Sequence, residues 1–150
     1  MARVTRKRTI SASPAEAWKL ISDPYSLPRW WPRTSRVENV EGKAGGRRSR
    51  WTKVLETAEG RGVRADYRCL SSAERERYVW EQELEGTPFE RHLKAWRVEV
   101  GLRERDGGTE VSLSSVQTLK GLSRLGSPMM RKAQRTQLDE ALDGLERALG

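Results

Sequence analysis

Residues 11–32 read SASPAEAWKLISDPYSLPRWWP, and the rest of the chain is best understood from this stretch outward. Ser13 is placed to cap a helix. Its hydroxyl can accept from an unpaired N–H of the first turn, Pro14 fills the first helical position where a missing N–H costs nothing, and Glu16 stands where a capping box needs it. Ala17, Leu20 and Ile21 recur at three- and four-residue spacing with Trp18 at the edge of the same face, and the SDP of residues 22–24 ends the helix because Pro24 restrains the residue before it. A helix of about two turns is marginal alone, so it must lie against something larger. SLPRWW predicts a second helical turn stopped by Pro32. Its Trp30 and Trp31 point about 100° apart, so they take different jobs in plugging the core or lining a cavity mouth.

The larger object is a sheet. In ERERYVWEQELEG (74–86), Tyr78, Trp80 and Leu84 share one side while Arg77, Glu81 and Glu83 share the other, the period-two pattern of a strand with one wet face. HLKAWRVEVGLRE (92–104) puts His92, Trp96, Val98, Val100 and Leu102 on one side. TEVSLSSVQTL (109–119) offers Val111, Leu113 and Leu119, and RGVRADYRCL (61–70) offers Val63, Ala65, Tyr67 and Cys69. Gly86-Thr87-Pro88 and Asp106-Gly107-Gly108 have the composition of turns joining antiparallel neighbours. Shorter candidates at 3–10, 36–41 and 47–55 bring the total to seven strands, mostly in a meander.

After Gly121 the period changes. PMMRKAQRTQLDEALDGLERAL (128–149) aligns Met130, Gln134, Leu138, Ala141, Leu142, Leu145 and Leu149 along one stripe, with Ala133 at its edge and charges opposite. Gly144 lowers the helical propensity without ending the helix. This helix is the only element large enough to cover the sheet, and layer logic lays it across the concave side. GLSRLG (121–126) reads as a flexible connection into it and as a gate for whatever lies beneath.

One strand, two small helices, six strands and one long helix, together with SASPAEAWKLISDPYSLPRWWP, VWEQELEGTPF, RHLKAWRVEV and GGTEVSLSSV, resemble the START-like (SRPBCC) superfamily, in particular its bacterial polyketide cyclase/dehydrase members. The resemblance covers nearly the whole chain. It implies an α+β helix-grip fold, with a seven-stranded antiparallel sheet wrapped around the C-terminal helix and two short helices after the first strand. It also implies a cavity for a hydrophobic or amphipathic, lipid- or polyketide-like molecule. The superfamily includes lipid carriers, hormone receptors, cyclases and hydrolases, so the resemblance implies a cavity rather than a reaction.

The residues expected to line that cavity are Trp30, Trp31, Trp51, Tyr67, Tyr78, Trp80 and Trp96, with Gln117, Met130, Ala133, Gln134 and Gln137. The aromatics either wall a ligand or simply fill the space under the helix. Glutamines at inward positions, Gln82 among them, argue for a hydrated or ligand-filled space, because buried amides need partners. For a reaction on a carbonyl the available groups are Tyr67 and His92, and then Arg68 or Arg97, which strand parity turns outward. His92 is the sole histidine and Cys69 the sole cysteine. No metal site is therefore expected, no intramolecular disulfide can form, and Cys69 reads as a small buried hydrophobe. The glycines match neither a phosphate loop nor a dinucleotide fingerprint, and no cofactor is expected.

At 150 residues the chain has the size of one domain, 1–150. Its net charge is +8, and residues 1–75 carry 17 Lys/Arg against 8 Asp/Glu, whereas residues 76–150 carry 12 against 13. Such a field attracts anions. RVTRKR and GRRSR nevertheless come without a nucleic-acid-binding signature, so no specific nucleic acid is expected. MARVTRKRTI lacks the apolar run of a signal peptide and no stretch approaches about 18 apolar residues, which makes the cytoplasm the default compartment. Three functions stay open: a small-molecule binder, a cyclase, aromatase or dehydratase, and an interaction or nucleic-acid-binding protein using the basic half. The oligomeric state is equally open, a homodimer included.

Overall fold

The computed structural model describes residues 2–56, 62–121 and 128–150. Seven strands, β1 (Ala2–Ile10), β2 (Thr34–Glu41), β3 (Arg50–Glu56), β4 (Gly62–Ala73), β5 (Arg77–Gln82), β6 (Leu93–Arg105) and β7 (Gly108–Leu119), form one antiparallel sheet in the order β1-β7-β6-β5-β4-β3-β2. Helices α1 (Pro14–Ile21) and α2 (Leu27–Trp30) follow β1, and α3 (Pro128–Leu149) ends the chain. β1 and β2 are consecutive in sequence yet hold opposite edges of the sheet. Their connection must cross the open side of the curved sheet, and α1 and α2 make that crossing.

The cap at Ser13 forms as expected. Its Oγ accepts from the Glu16 backbone N–H at 3.1 Å and donates to Glu16 Oε1 at 3.1 Å. Asp23 caps the following 3-10 turn, Pro24–Ser26, by accepting from the Tyr25 N–H. Between β6 and β7 the two-residue loop is Asp106-Gly107, with φ of 51° and 77°, the doubly left-handed backbone of a hairpin turn that follows the twist of its strands.

Gly86-Thr87-Pro88 lies in the connection between the antiparallel neighbours β5 and β6, as expected: the Thr87 N–H donates to the Leu84 carbonyl, and Thr87 Oγ1 caps a 3-10 turn over Pro88–Arg91. The parity expected of His92 is corrected. His92 closes that turn and is exposed, lying before β6 and not on its inner face. The register then shifts between Leu93 and Ala95, so alternation counted back from Trp96 fails at the strand start. Leu93 packs with Ala2, Leu84 and Leu119 in a small second cluster beside Trp96 and Met130. Residues 122–127, and with them most of the expected gate, lie outside the described residues.

The main core joins α1, α2 and the inner side of the sheet to Leu138, Ala141, Leu142 and Leu145 of α3. Leu149 is half-buried and Ala133 exposed, so the grip is tightest in the middle and second half of the helix. Gly144 has a specific duty there: a Cβ at this position would overlap the Trp30 carbonyl and stand 2.7 Å from the Trp30 Cα. Removing that one carbon lets α2 rest directly on α3. From the edge strand, Arg6 pairs with Asp139, and Arg8 with Asp143 and Glu146. These pairs are solvent-exposed and worth about 0–1 kcal/mol each, whereas each buried leucine contributes about 1.5–3 kcal/mol. Apolar burial holds the helix, and the ion pairs fix its direction.

Candidate functional site

Alternation along β3 sends Trp51 and Lys53 to the inner face, while Thr52 takes the outer face and donates to Asp66 Oδ1 at 2.6 Å. Lys53 is therefore carried into the interior, with 4% of its surface exposed. Its Nζ lies 4.6 Å from the Tyr67 ring centroid and 5.3 Å from that of Trp31. Ring faces attract a cation but do not replace its water. Burial pushes the Lys53 ammonium down to about 7.

Around Lys53 is a chamber of about 30 Å³. Tyr67, Trp80 and Gln82 wall it from β4 and β5, Trp96 and Val98 from β6, Trp31 from beyond α2 and Gln137 from α3. Trp96 and Gln137 also border a wider groove of about 500 Å³ under the first half of α3, with Gln117, Met130, Ala133 and Gln134. Arg33, Lys132 and Glu140 stand at this groove as its charged residues. Gln134 Nε2 donates to Gln117 Oε1 at 2.8 Å, leaving Gln134 Oε1 buried without a partner among the described residues. Trp96 Nε1 donates to Ser115 Oγ at 3.0 Å, and Phe89 meets the Trp96 ring edge-on. Trp31 Nε1 is buried with no acceptor among the described residues. Burial, with the Asp66 charge adding to it, pushes the Tyr67 phenol well above its ordinary range, so this hydroxyl keeps its proton.

The expected cavity residues divide three ways. Trp31, Tyr67, Trp80, Trp96 and Gln137 meet at the chamber, while Gln117, Met130, Ala133 and Gln134 belong to the groove. Trp51, Tyr78 and Trp30 pack in the core instead. Trp51 stacks near-parallel to Tyr67 and Tyr78, and Trp30 sits edge-on to Trp31 and Trp80. Trp30 and Trp31 also border a polar hollow of about 400 Å³ with Arg29, Asp143 and Arg147. Aromatic core and aromatic wall are thus one continuous cluster, with the chamber at its end. Arg68 and Arg97 face outward, paired with Glu81 and Glu99. Cys69 is buried, and that burial raises its thiol away from the reactive thiolate. Among the described residues no group of three or more His, Cys, Asp or Glu could hold a metal. Lys53 was missed from sequence. Its one signal was shared parity with Trp51.

A seven-stranded antiparallel sheet closed on a C-terminal helix, with two short helices crossing its open side and a hollow between, defines the helix-grip class of START-like proteins. The chain belongs to the polyketide cyclase/dehydrase and lipid transport family, whose sequence profile matches residues 1–150. Its fold is similar to that of a START superfamily protein from Mycobacterium smegmatis, at 16% identity and TM-score 0.75 over 98% of this chain and 96% of the other. TTHA0849 from Thermus thermophilus is similar at 21% identity and TM-score 0.74, over 99% of this chain and 97% of the other. The di-domain aromatase/cyclase StfQ of the steffimycin biosynthetic pathway is similar at 11% identity and TM-score 0.75, over 98% of this chain and 50% of StfQ. No curated protein matches the sequence. Among the described residues no helix is long and apolar enough to cross a membrane.

Proposed function

We propose that the protein binds a hydrophobic or amphipathic small molecule, lipid- or polyketide-like, between the sheet and α3. The groove beneath the first half of the helix supports this best. Its volume of about 500 Å³ lies within the range of roughly 300–1,000 Å³ found for small-molecule sites. Apolar surfaces of Trp96 and Met130 surround a buried amide pair whose Gln134 Oε1 has no partner among the described residues. An orphaned buried acceptor costs about 1–3 kcal/mol, and a ligand donor would relieve it. Membership of a family that includes lipid transport supports the same reading.

Titrating the protein with decan-1-ol and a set of aryl and alkyl amphiphiles, followed by thermal shift and native mass spectrometry, tests it. At least one should bind saturably, one to one, and stabilise the fold by about 2.7 kcal/mol at a hundredfold excess over its Kd. Ala133→Trp, at the exposed edge of the groove, should abolish that binding while leaving the unfolding midpoint nearly unchanged. If no amphiphile binds saturably, the reading is lost.

A cyclase or dehydratase would need a proton donor and acceptor facing the substrate. His92 stands outside the chamber, and the donor and acceptor inside it, Tyr67 and Lys53, share a space of about 30 Å³ with no room for the reacting part of a polyketide, so binding is the stronger reading. The basic half gives little support to a nucleic-acid site, because many of its arginines are engaged by carboxylates: Arg3 with Glu99, Arg36 and Arg64 with Glu38, Arg50 with Glu83.

A further inference from the structure

Resting on that reading, we propose that Lys53 receives the carboxylate head group of an amphiphilic ligand whose apolar tail lies in the groove under α3. Four observations meet here. Among the described residues Lys53 is a buried amine with no carboxylate beside it: desolvation alone acts on it, and no Asp or Glu is among the described residues walling its chamber. The outer-face carboxylate on the neighbouring strand, Asp66, is bonded to Thr52 instead.

The second observation is the balance of hydrogen-bonding groups. The chamber is walled by Lys53, by Tyr67, whose phenol keeps its proton, by Trp31, whose buried N–H has no acceptor among the described residues, and by Gln82 and Gln137. A carboxylate is acceptor-only, with about four lone-pair positions on two oxygens, and is the head group such a donor-rich wall satisfies. An ammonium ligand would find neutral acceptors, the Gln82 and Gln137 amide oxygens among them, but no carboxylate among the described residues of these walls to balance its charge.

Third, the sizes divide the ligand. About 30 Å³ has room for a head group and not for a tail, while the groove of about 500 Å³ beyond the shared walls Trp96 and Gln137 has room for a tail. Fourth, the titratable groups facing the route are few. Tyr67 is the other one in the chamber, and Arg33 and Lys132 outnumber Glu140 at the groove. The approach is net positive and favours an anion. With its proton about half released at pH 7 and mostly released at pH 8 when the chamber is empty, Lys53 regains it as the carboxylate arrives. Binding therefore takes up a proton.

Sodium decanoate and decan-1-ol, equal in chain length, separate the possibilities in calorimetric titrations at pH 8 in buffers of different ionisation enthalpy. Decanoate should bind about 10–100-fold more tightly than decanol, the range expected for hydrogen bonds to a charged partner. It should take up as much as one proton per molecule bound, and decanol none. Lys53→Met should remove the decanoate advantage and the proton uptake while leaving decanol binding intact. The wild-type comparison and the proton count do not depend on that variant folding. Equal binding of decanoate and decanol by the wild-type protein, or decanoate binding without proton uptake, overturns the Lys53 assignment while leaving the cavity reading standing. If borohydride fixes decanal on Lys53 and decanoate shows no preference, the residue is an imine-forming amine and the assignment also falls. Failure of every amphiphile to bind removes both readings together.

Discussion

Folding strips Lys53 of water, and the resulting penalty depends on whether the amine carries its proton. Its pKa falls from 10.5 in the unfolded chain to about 7 in the folded one. Between those values the unfolded chain holds a proton that the folded protein does not, so stability rises with pH by up to about 1.4 kcal/mol per unit. Below about pH 7 the full penalty is present and flat, and above about 10.5 it is gone. Lys53→Met should therefore stabilise the empty protein most at pH 6, less at pH 8 and hardly at all at pH 10, as read by urea unfolding. Parallel profiles for the two proteins would mean that Lys53 is solvated. Sequence concealed this residue because lysine ordinarily marks a surface, and only the alternation Trp51-Thr52-Lys53 placed it inside. His92 failed for the opposite reason: alternation was counted past the point where the register shift at Leu93/Ala95 resets it.

At the scale of elements, Gly144 shows how two helices can depend on one missing carbon. Gly144→Ala gains helical propensity of about 0.8–1 kcal/mol, but its methyl group overlaps the Trp30 backbone, which has no rotamer to yield. The net effect should be a loss of about 1–3 kcal/mol, the usual range for overpacking, measured as a lower urea midpoint. An unchanged or higher midpoint would show that α2 can move away from α3 at little cost. Leu142→Ala, on the same helix, should cost about 2–5 kcal/mol. Deleting residues 128–150 should abolish cooperative unfolding, since typical domains have only about 5–15 kcal/mol in reserve. The three helices were legible because each carried an explicit signal: the Ser13–Glu16 cap, the prolines around SLPRWW, and the leucine stripe of α3. Gly144 was legible only as a weak helix former, since its partner Trp30 lies more than a hundred residues away and nothing local announces the contact. The 3-10 turn after Thr87 was hidden similarly by a composition that suits a hairpin equally well.

For the molecule as a whole, the net charge of +8 overstates what is available to a polyanion. Binding to a duplex oligonucleotide should be weak, without sequence preference, and should disappear as NaCl rises from about 50 to 200 mM, followed by fluorescence anisotropy. Salt-resistant or sequence-selective binding would restore the nucleic-acid reading. The order of elements and the helix grip were legible because alternating strands followed by one amphipathic helix leave few layer arrangements. The division into chamber and groove was not, because it depends on how six tryptophans share one interior. Sheet order also has a consequence for how the protein is made. β1 has a single neighbour in the sheet, β7, with Ala2 opposite Gln117 and Ile10 opposite Thr109. At roughly 5–20 residues per second of synthesis, the first strand waits for roughly 5–23 seconds before its partner exists. Throughout that interval it is a strand with no ladder, open to any other unpaired edge. Arg3, Arg6, Lys7 and Arg8 make it a poor template for such pairing. Two of these charges, Arg6 and Arg8, later pair with α3, so the residues that direct the helix also keep nascent chains apart until the sheet can close.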